Sequence, residues 1–208
     1  MEAKELLDLN RRDQFVDKII AKAVDRYSAI QTNNHSAREE DKLAMDPNLE
    51  SFVNNIFEAT ISSPKDAKLV AGIAIEARRL DIVERVIKSS SNVSGLLDYI
   101  FELSQKGLQS KVFKNELVEL ILRSYSQRDT SSQVSRNESW NICYCYFLLN
   151  KAKETASVIG NLINGSDDDF LMACQISSDI QEEENQNFTE NLIKEFGALP
   201  TASSEIGS

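Results

Sequence analysis

The run GIAIEARRLDIVERVI, Gly72 to Ile87, decides the fold. Leu69, Val70, Ile73, Ala74 and Ala77 recur at three- and four-residue steps and predict an amphipathic helix. The pattern then restarts at once. Asp81 with Glu84 has the spacing of a capping box, with carboxylates where the positive end of a new helix dipole would lie. Lys65 to Lys88 is therefore expected to form an antiparallel pair of short helices joined by a very tight corner. Arg78-Arg79 is the one basic pair in an apolar context. Two roles suit it: satisfying the free carbonyls of the first helix's last turn, or meeting a partner's acidic surface.

The same reading extends in both directions. Phe15, Ile19, Ile20, Ala23, Val24 and Tyr27 share one helix face between Arg12 and Ile30, and Gln31 to Lys42 then reads as a polar loop. Asp46-Pro47 starts another helix, with Asp as cap and Pro at the first helical position. Ser63-Pro64 repeats that signal. Ser91 to Ser104 and Val112 to Tyr125 predict a further pair turning at Gly107, and Gln127 to Glu138 a polar loop. Trp140 to Leu149 is apolar nearly all round, as in a helix covered on both sides. Ala152 to Ile163, Asp168 to Ile180 and Asn185 to Phe196 complete the series, with stop signals at Gly197 and Pro200. Units starting near Pro64, Val93, Asn137 and Ser166 lie roughly 30–45 residues apart, the period of helical repeats. The expected fold is all-α, an α-solenoid of antiparallel helical hairpins, with an ordinary helical bundle as the alternative. Its organisation reads as N-terminal helices over 1–62 with a polar loop at 31–45, stacked hairpins over 63–197 with a polar insert at 127–138, and a flexible tail at 198–208.

The composition narrows the function. The chain has 208 residues and a formal charge of −10, so it lacks the positive field that nucleic-acid backbones and anionic membranes require. Seven Gly and three Pro are too few for the turns of a many-stranded barrel or sandwich. Three Cys make no disulfide framework and fit a reducing compartment. The start does not read as a signal peptide, so the Asn-x-Ser/Thr triplets are expected to be coincidental, and with no window near 18 apolar residues no membrane span is expected.

The candidate chemistry is sparse. His35 is the single histidine and falls in the polar loop, which excludes a triad or a two-His metal site by count. Cys143 and Cys145 project about 200° apart on a helix, so they cannot readily grip one ion and are expected in the core. Cys174 would add only a third ligand. Asp167, Asp168 and Asp169 follow Ser166, and Ser166 with Asp169 makes a second capping box rather than a cation loop. No catalytic, cofactor-binding or metal-ligating residue is assigned, and no enzyme activity or small-molecule substrate is expected.

Against those residues a resemblance becomes specific. Gly72 to Ile87 resembles the signature of the largest non-ATPase subunit in the base of the 26S proteasome regulatory particle, the scaffold family that carries proteasome/cyclosome repeats. FVDKIIAKAVDRY from Phe15, DPNLESFVNNIF from Asp46, SNVSGLLDYIFELS from Ser91, CYCYFLL from Cys143 and DFLMACQISSDI from Asp169 follow in the family's order. The likeness runs from about Leu6 to Phe196 and concerns the later part of the N-terminal rod. The Gly/Ala-rich ring repeats and the receptor-binding tail have no counterpart here. The resemblance implies a non-catalytic scaffold segment in cytoplasm and nucleus, without cofactors, contacting lid and base subunits of the regulatory particle. A generic helical-repeat adaptor and a helical enzyme or metal protein using Cys143, Cys145 and Cys174 are the competing readings.

Overall fold

The computed structural model describes residues 14–61, 67–106, 108, 110–127 and 136–198. The Ser63-Pro64 start, the Gly107 turn, most of the polar insert and the tail beyond Ala198 lie outside them. Among the described residues there are ten α-helices and no strand, so the all-α expectation holds. The chain divides into two compact units, Met1–Leu120 and Ile121–Ser208.

In the first unit, α1 (Gln14–Ser36) packs on α2 (Pro47–Ile61). The sequence ended this helix at Ile30, yet it runs on through His35. Polar residues there carry no helix breaker, and only the chain after Ser36 leaves the helix, through a short 3₁₀ turn at Glu39–Asp41. Asp46 caps α2 as expected: its Oδ1 accepts from the Asn48 N–H at 2.9 Å. Next come α3 (Ala67–Glu76), α4 (Leu80–Ser89) and α5 (Val93–Gln105). Helix α3 packs on both α4 and α5. Val70, Ala71, Ala74, Ile82, Val83, Leu97 and Ile100 are almost wholly buried there, each larger side chain contributing about 1.5–3 kcal/mol. Asn92 caps α5 by accepting from the Gly95 N–H at 3.0 Å, a cap that the sequence reading did not assign. Gly72 does not face α4 within its hairpin. A Cβ there would meet the Tyr99 hydroxyl of α5 at 3.2 Å.

Helix α6 (Lys111–Ser126) crosses the boundary between the units. In the second unit, α7 (Arg136–Leu148) begins four residues before Trp140, so the polar insert's last residues are already helical. Helix α8 (Ala152–Ile163) packs on α7, α9 (Asp167–Glu182) and α10 (Gln186–Ala198). Cys143, Phe147, Ala156, Ile159, Ala173, Ile176, Ile180, Phe188 and Leu192 form its core. Ser166 and Asp169 make the expected reciprocal capping box at the start of α9. Gly197 does not stop α10, which continues to Ala198.

Candidate functional site

The corner between α3 and α4 concentrates the polar chemistry of the first unit. Arg78 ends α3 in the left-handed region, at φ 57°. Its N–H donates to the Ile75 carbonyl at 3.1 Å, and the Arg79 N–H donates to the Ala74 carbonyl at 2.8 Å. That pair of bonds is a Schellman stop, which closes the helix with its own backbone. Arg79 then serves directly as the N-cap of α4, its carbonyl accepting from Val83 at 3.1 Å. The corner between α7 and α8 repeats this bond for bond. Asn150 has φ 58°, its N–H donates to Phe147, and the Lys151 N–H donates to Tyr146, both at 2.9 Å. Lys151 becomes the next N-cap.

This geometry corrects two expectations. The arginine side chains do not cap α3, because the backbone has already satisfied those carbonyls. Asp81 and Glu84 do not form a capping box either, since the helix starts at Leu80 and Arg79 is its cap. Asp81 instead takes the Arg79 guanidinium through both oxygens, at 2.8 and 2.7 Å. Glu84 pairs with Lys88 one turn on, at 2.7 Å.

Arg79 is the hub of the corner. Its Nη1 donates to Asn54 Oδ1 of α2 at 2.6 Å and to the Tyr27 hydroxyl of α1 at 3.3 Å. Tyr27 is 1% exposed and also accepts from Gln31 Nε2. One guanidinium thus ties α1, α2 and α4 together. Its bond to Asp81 holds the Asp81 carboxyl below the usual carboxylate range, and the same bond raises Arg79 further. Nearby, Arg85 and Glu58 make a two-pronged but exposed pair between α4 and α2, at 2.6 and 2.9 Å. Ser28 of α1 donates to the Glu76 carbonyl at the end of α3.

Arg78 points elsewhere. Its guanidinium lies over the Phe113 ring of α6, 4.5 Å from the centroid, and its Nε donates weakly to Thr32 Oγ1 at 3.4 Å. Its Nη1 is buried with no hydrogen-bond partner. Arg78, Phe113, Gln31, Asn34, Lys42 and Glu116 line a cleft of about 420 Å³. Asn34 fixes the loop at its edge, donating to the Leu43 carbonyl at 2.9 Å and accepting from the Leu43 N–H at 2.7 Å. Such an opening can hold a side chain or a short segment of another chain. Nothing in the sequence marked Phe113 or Asn34 for it; only the Arg-Arg pair carried a signal.

The other candidates separate. His35 lies in the last turn of α1, not in a loop. Cys143 and Cys145 are fully buried, and burial pushes the Cys143 thiol up to about 12 and the Cys145 thiol up as well. Opposite faces of α7 are thus both covered, as its all-round apolar pattern predicts. Cys174 is exposed. Among the described residues no three His, Cys, Asp or Glu side chains gather as a metal site. No helix of the described chain is long and apolar enough to cross a membrane.

Tight two-residue corners repeated between short amphipathic helices define a helical-repeat protein. The particular family follows from comparison: residues 1–206 match the model described as 26S proteasome subunit RPN2, N-terminal domain, and the chain belongs to that family. It is 30% identical over 187 residues to the Arabidopsis thaliana protein named 26S proteasome non-ATPase regulatory subunit 1 homolog A, covering 89% of this chain and 18% of that one. The Drosophila melanogaster 26S proteasome non-ATPase regulatory subunit 1 is 29% identical over 204 residues, covering 96% and 19%. For the Saccharomyces cerevisiae 26S proteasome regulatory subunit RPN2 the figures are 26% over 213 residues, 95% and 21%. The chain therefore spans about a fifth of the length of these relatives.

Proposed function

We propose that this chain is a scaffold segment of the 26S proteasome regulatory particle base, supporting subunit contacts for ubiquitin-dependent degradation. The observation that carries the proposal is the family match across residues 1–206, together with relatives that are named as regulatory subunits. Physically, short hairpins bury one side of each helix and leave corners and outer faces for other proteins. The role calls for rigid presentation of those surfaces and for no catalytic centre, cofactor or small-molecule substrate. Its partners on this reading are lid and base subunits, in cytoplasm and nucleus.

Affinity purification of the tagged protein from its own cells tests the proposal. Recovery of regulatory-particle lid and ATPase subunits is the expected result. Recovery of an unrelated assembly without proteasome subunits would overturn it and leave the general helical-repeat adaptor. Imaging of the same tagged protein in both compartments checks the localisation.

A further inference from the structure

We propose that the cleft beneath the α3–α4 corner is a docking site for an acidic side chain, Asp or Glu, presented by a segment of a partner protein. Three observations meet there. First, the corner keeps an arginine where the backbone favours glycine or asparagine. A left-handed conformation costs an ordinary L-residue roughly 1–2 kcal/mol, and the matching corner at Asn150 avoids most of that cost. Strained residues of this kind cluster at functional sites.

Second, the Arg78 cation is incompletely compensated. Phe113 stacks against it and Thr32 takes one weak bond, yet Nη1 remains buried and unsatisfied. Burial alone acts on its ionisation, lowering it, whereas Asp81 raises that of its neighbour Arg79. A carboxylate arriving at the cleft would supply the missing counter-charge, and charge-assisted bonds to guanidinium are the strong ones.

Third, the described residues that line the cleft include two cations, Lys42 and Arg78, and one carboxylate, Glu116, in a chain of net charge −10. Remote negative charges are screened beyond about 8 Å at physiological salt, so the local balance governs a bound group. The presence of Glu116 favours a singly charged carboxylate over a doubly charged phosphate. The Asn34 clamp on Leu43 holds the loop that carries Lys42, so one edge of the opening is already set.

The inference concerns the cleft's chemistry and stands apart from the proteasomal reading. Fluorescence anisotropy of the whole chain at 150 mM NaCl tests it, with a fluorescein-labelled, C-terminally amidated hexaglutamate peptide as probe. Saturable binding is expected, with none for the hexaglutamine counterpart. Arg78→Gly relieves the strained backbone and should stay folded by circular dichroism and thermal melting while binding falls at least about 10-fold. Glu116→Gln, at an exposed position, should tighten binding about 3-fold, a gain that a purely structural role would not produce. No saturable binding, equal binding by wild type and Arg78→Gly, or binding of a phosphoserine peptide in place of the glutamate peptide would each overturn the inference.

Discussion

Arg78 and Asn150 hold the same left-handed backbone position, φ 57° and 58°, at the ends of α3 and α7. The residue that follows each of them closes the old helix with its N–H and opens the new one with its carbonyl. Two residues thus perform a reversal that commonly takes a longer loop.

The shared conformation predicts unequal responses to substitution. Asn tolerates φ > 0, so Asn150→Gly should change stability by only a few tenths of a kcal/mol, while Asn150→Val should cost about 1–2 kcal/mol. Arg78→Gly should melt at or above the wild-type temperature, because relief of strain and of the buried Nη1 offsets the lost contact with Phe113. Thermal melts of the three variants check this. A clear loss in Arg78→Gly would show that the side chain itself holds the corner.

Arg79 predicts the opposite behaviour. Its side chain is 18% exposed and its fork serves Asp81, Asn54 and Tyr27 at once. Lysine keeps the charge but cannot reproduce the fork. Arg79→Lys should therefore cost about 1.5–3 kcal/mol in urea unfolding, the scale of bonds to a charged group. The pair also has a pH signature. The Asp81 carboxyl is held low in the folded state, so its contribution is full above the unfolded value near ~3.9 and is lost as pH falls through the folded value. Asp81 is 58% exposed, so the effect should be modest. Asp81→Asn should flatten that part of the acid limb.

Much of this fold was legible because apolar spacing reports burial directly. The periodicity located the hairpins, and the caps at Asp46 and Ser166 lay where Asp-Pro and Ser-x-x-Asp placed them. Corner chemistry was harder to read. Asp81 and Glu84 have the spacing of a capping box, but the Schellman stop moved the cap to Arg79 and turned Asp81 into an arginine partner. The polar residues 31–36 looked like loop because they lack an apolar stripe, although none of them forbids a helix. For the cleft, the sequence could mark the Arg-Arg pair, but not Phe113 or Asn34. Those two meet Arg78 only through tertiary packing.

Gly72 predicts coupling between α3 and α5. An added methyl raises helix propensity by up to about 1 kcal/mol, but here it would press on the Tyr99 hydroxyl at 3.2 Å. Gly72→Ala should gain little in the wild type and about 0.5–1 kcal/mol in a Tyr99→Phe background, where the hydroxyl is absent. Gly72→Leu cannot be accommodated by that change and should cost about 1–3 kcal/mol in either background. A double-mutant cycle followed by urea unfolding provides the measurement. Identical effects of Gly72→Ala with and without the hydroxyl would place the glycine against something other than Tyr99.

The cysteines predict a count and an alkaline limit. Cys174 is exposed, whereas Cys143 and Cys145 are fully buried with raised thiol pKa values, so one thiol should react promptly with Ellman's reagent under native conditions. The other two should react only at the rate of opening or after unfolding in guanidinium. Ionisation adds a sign. The unfolded thiols lose their protons near ~8.5, while Cys143 resists until about 12. Above the lower value the unfolded state binds fewer protons than the folded one, so stability falls as pH rises through that window. Replacing both buried residues by alanine should weaken that alkaline decline while lowering stability at neutral pH through the cavities left in the core. Two promptly reactive thiols in the native protein would contradict the burial of α7 on both faces.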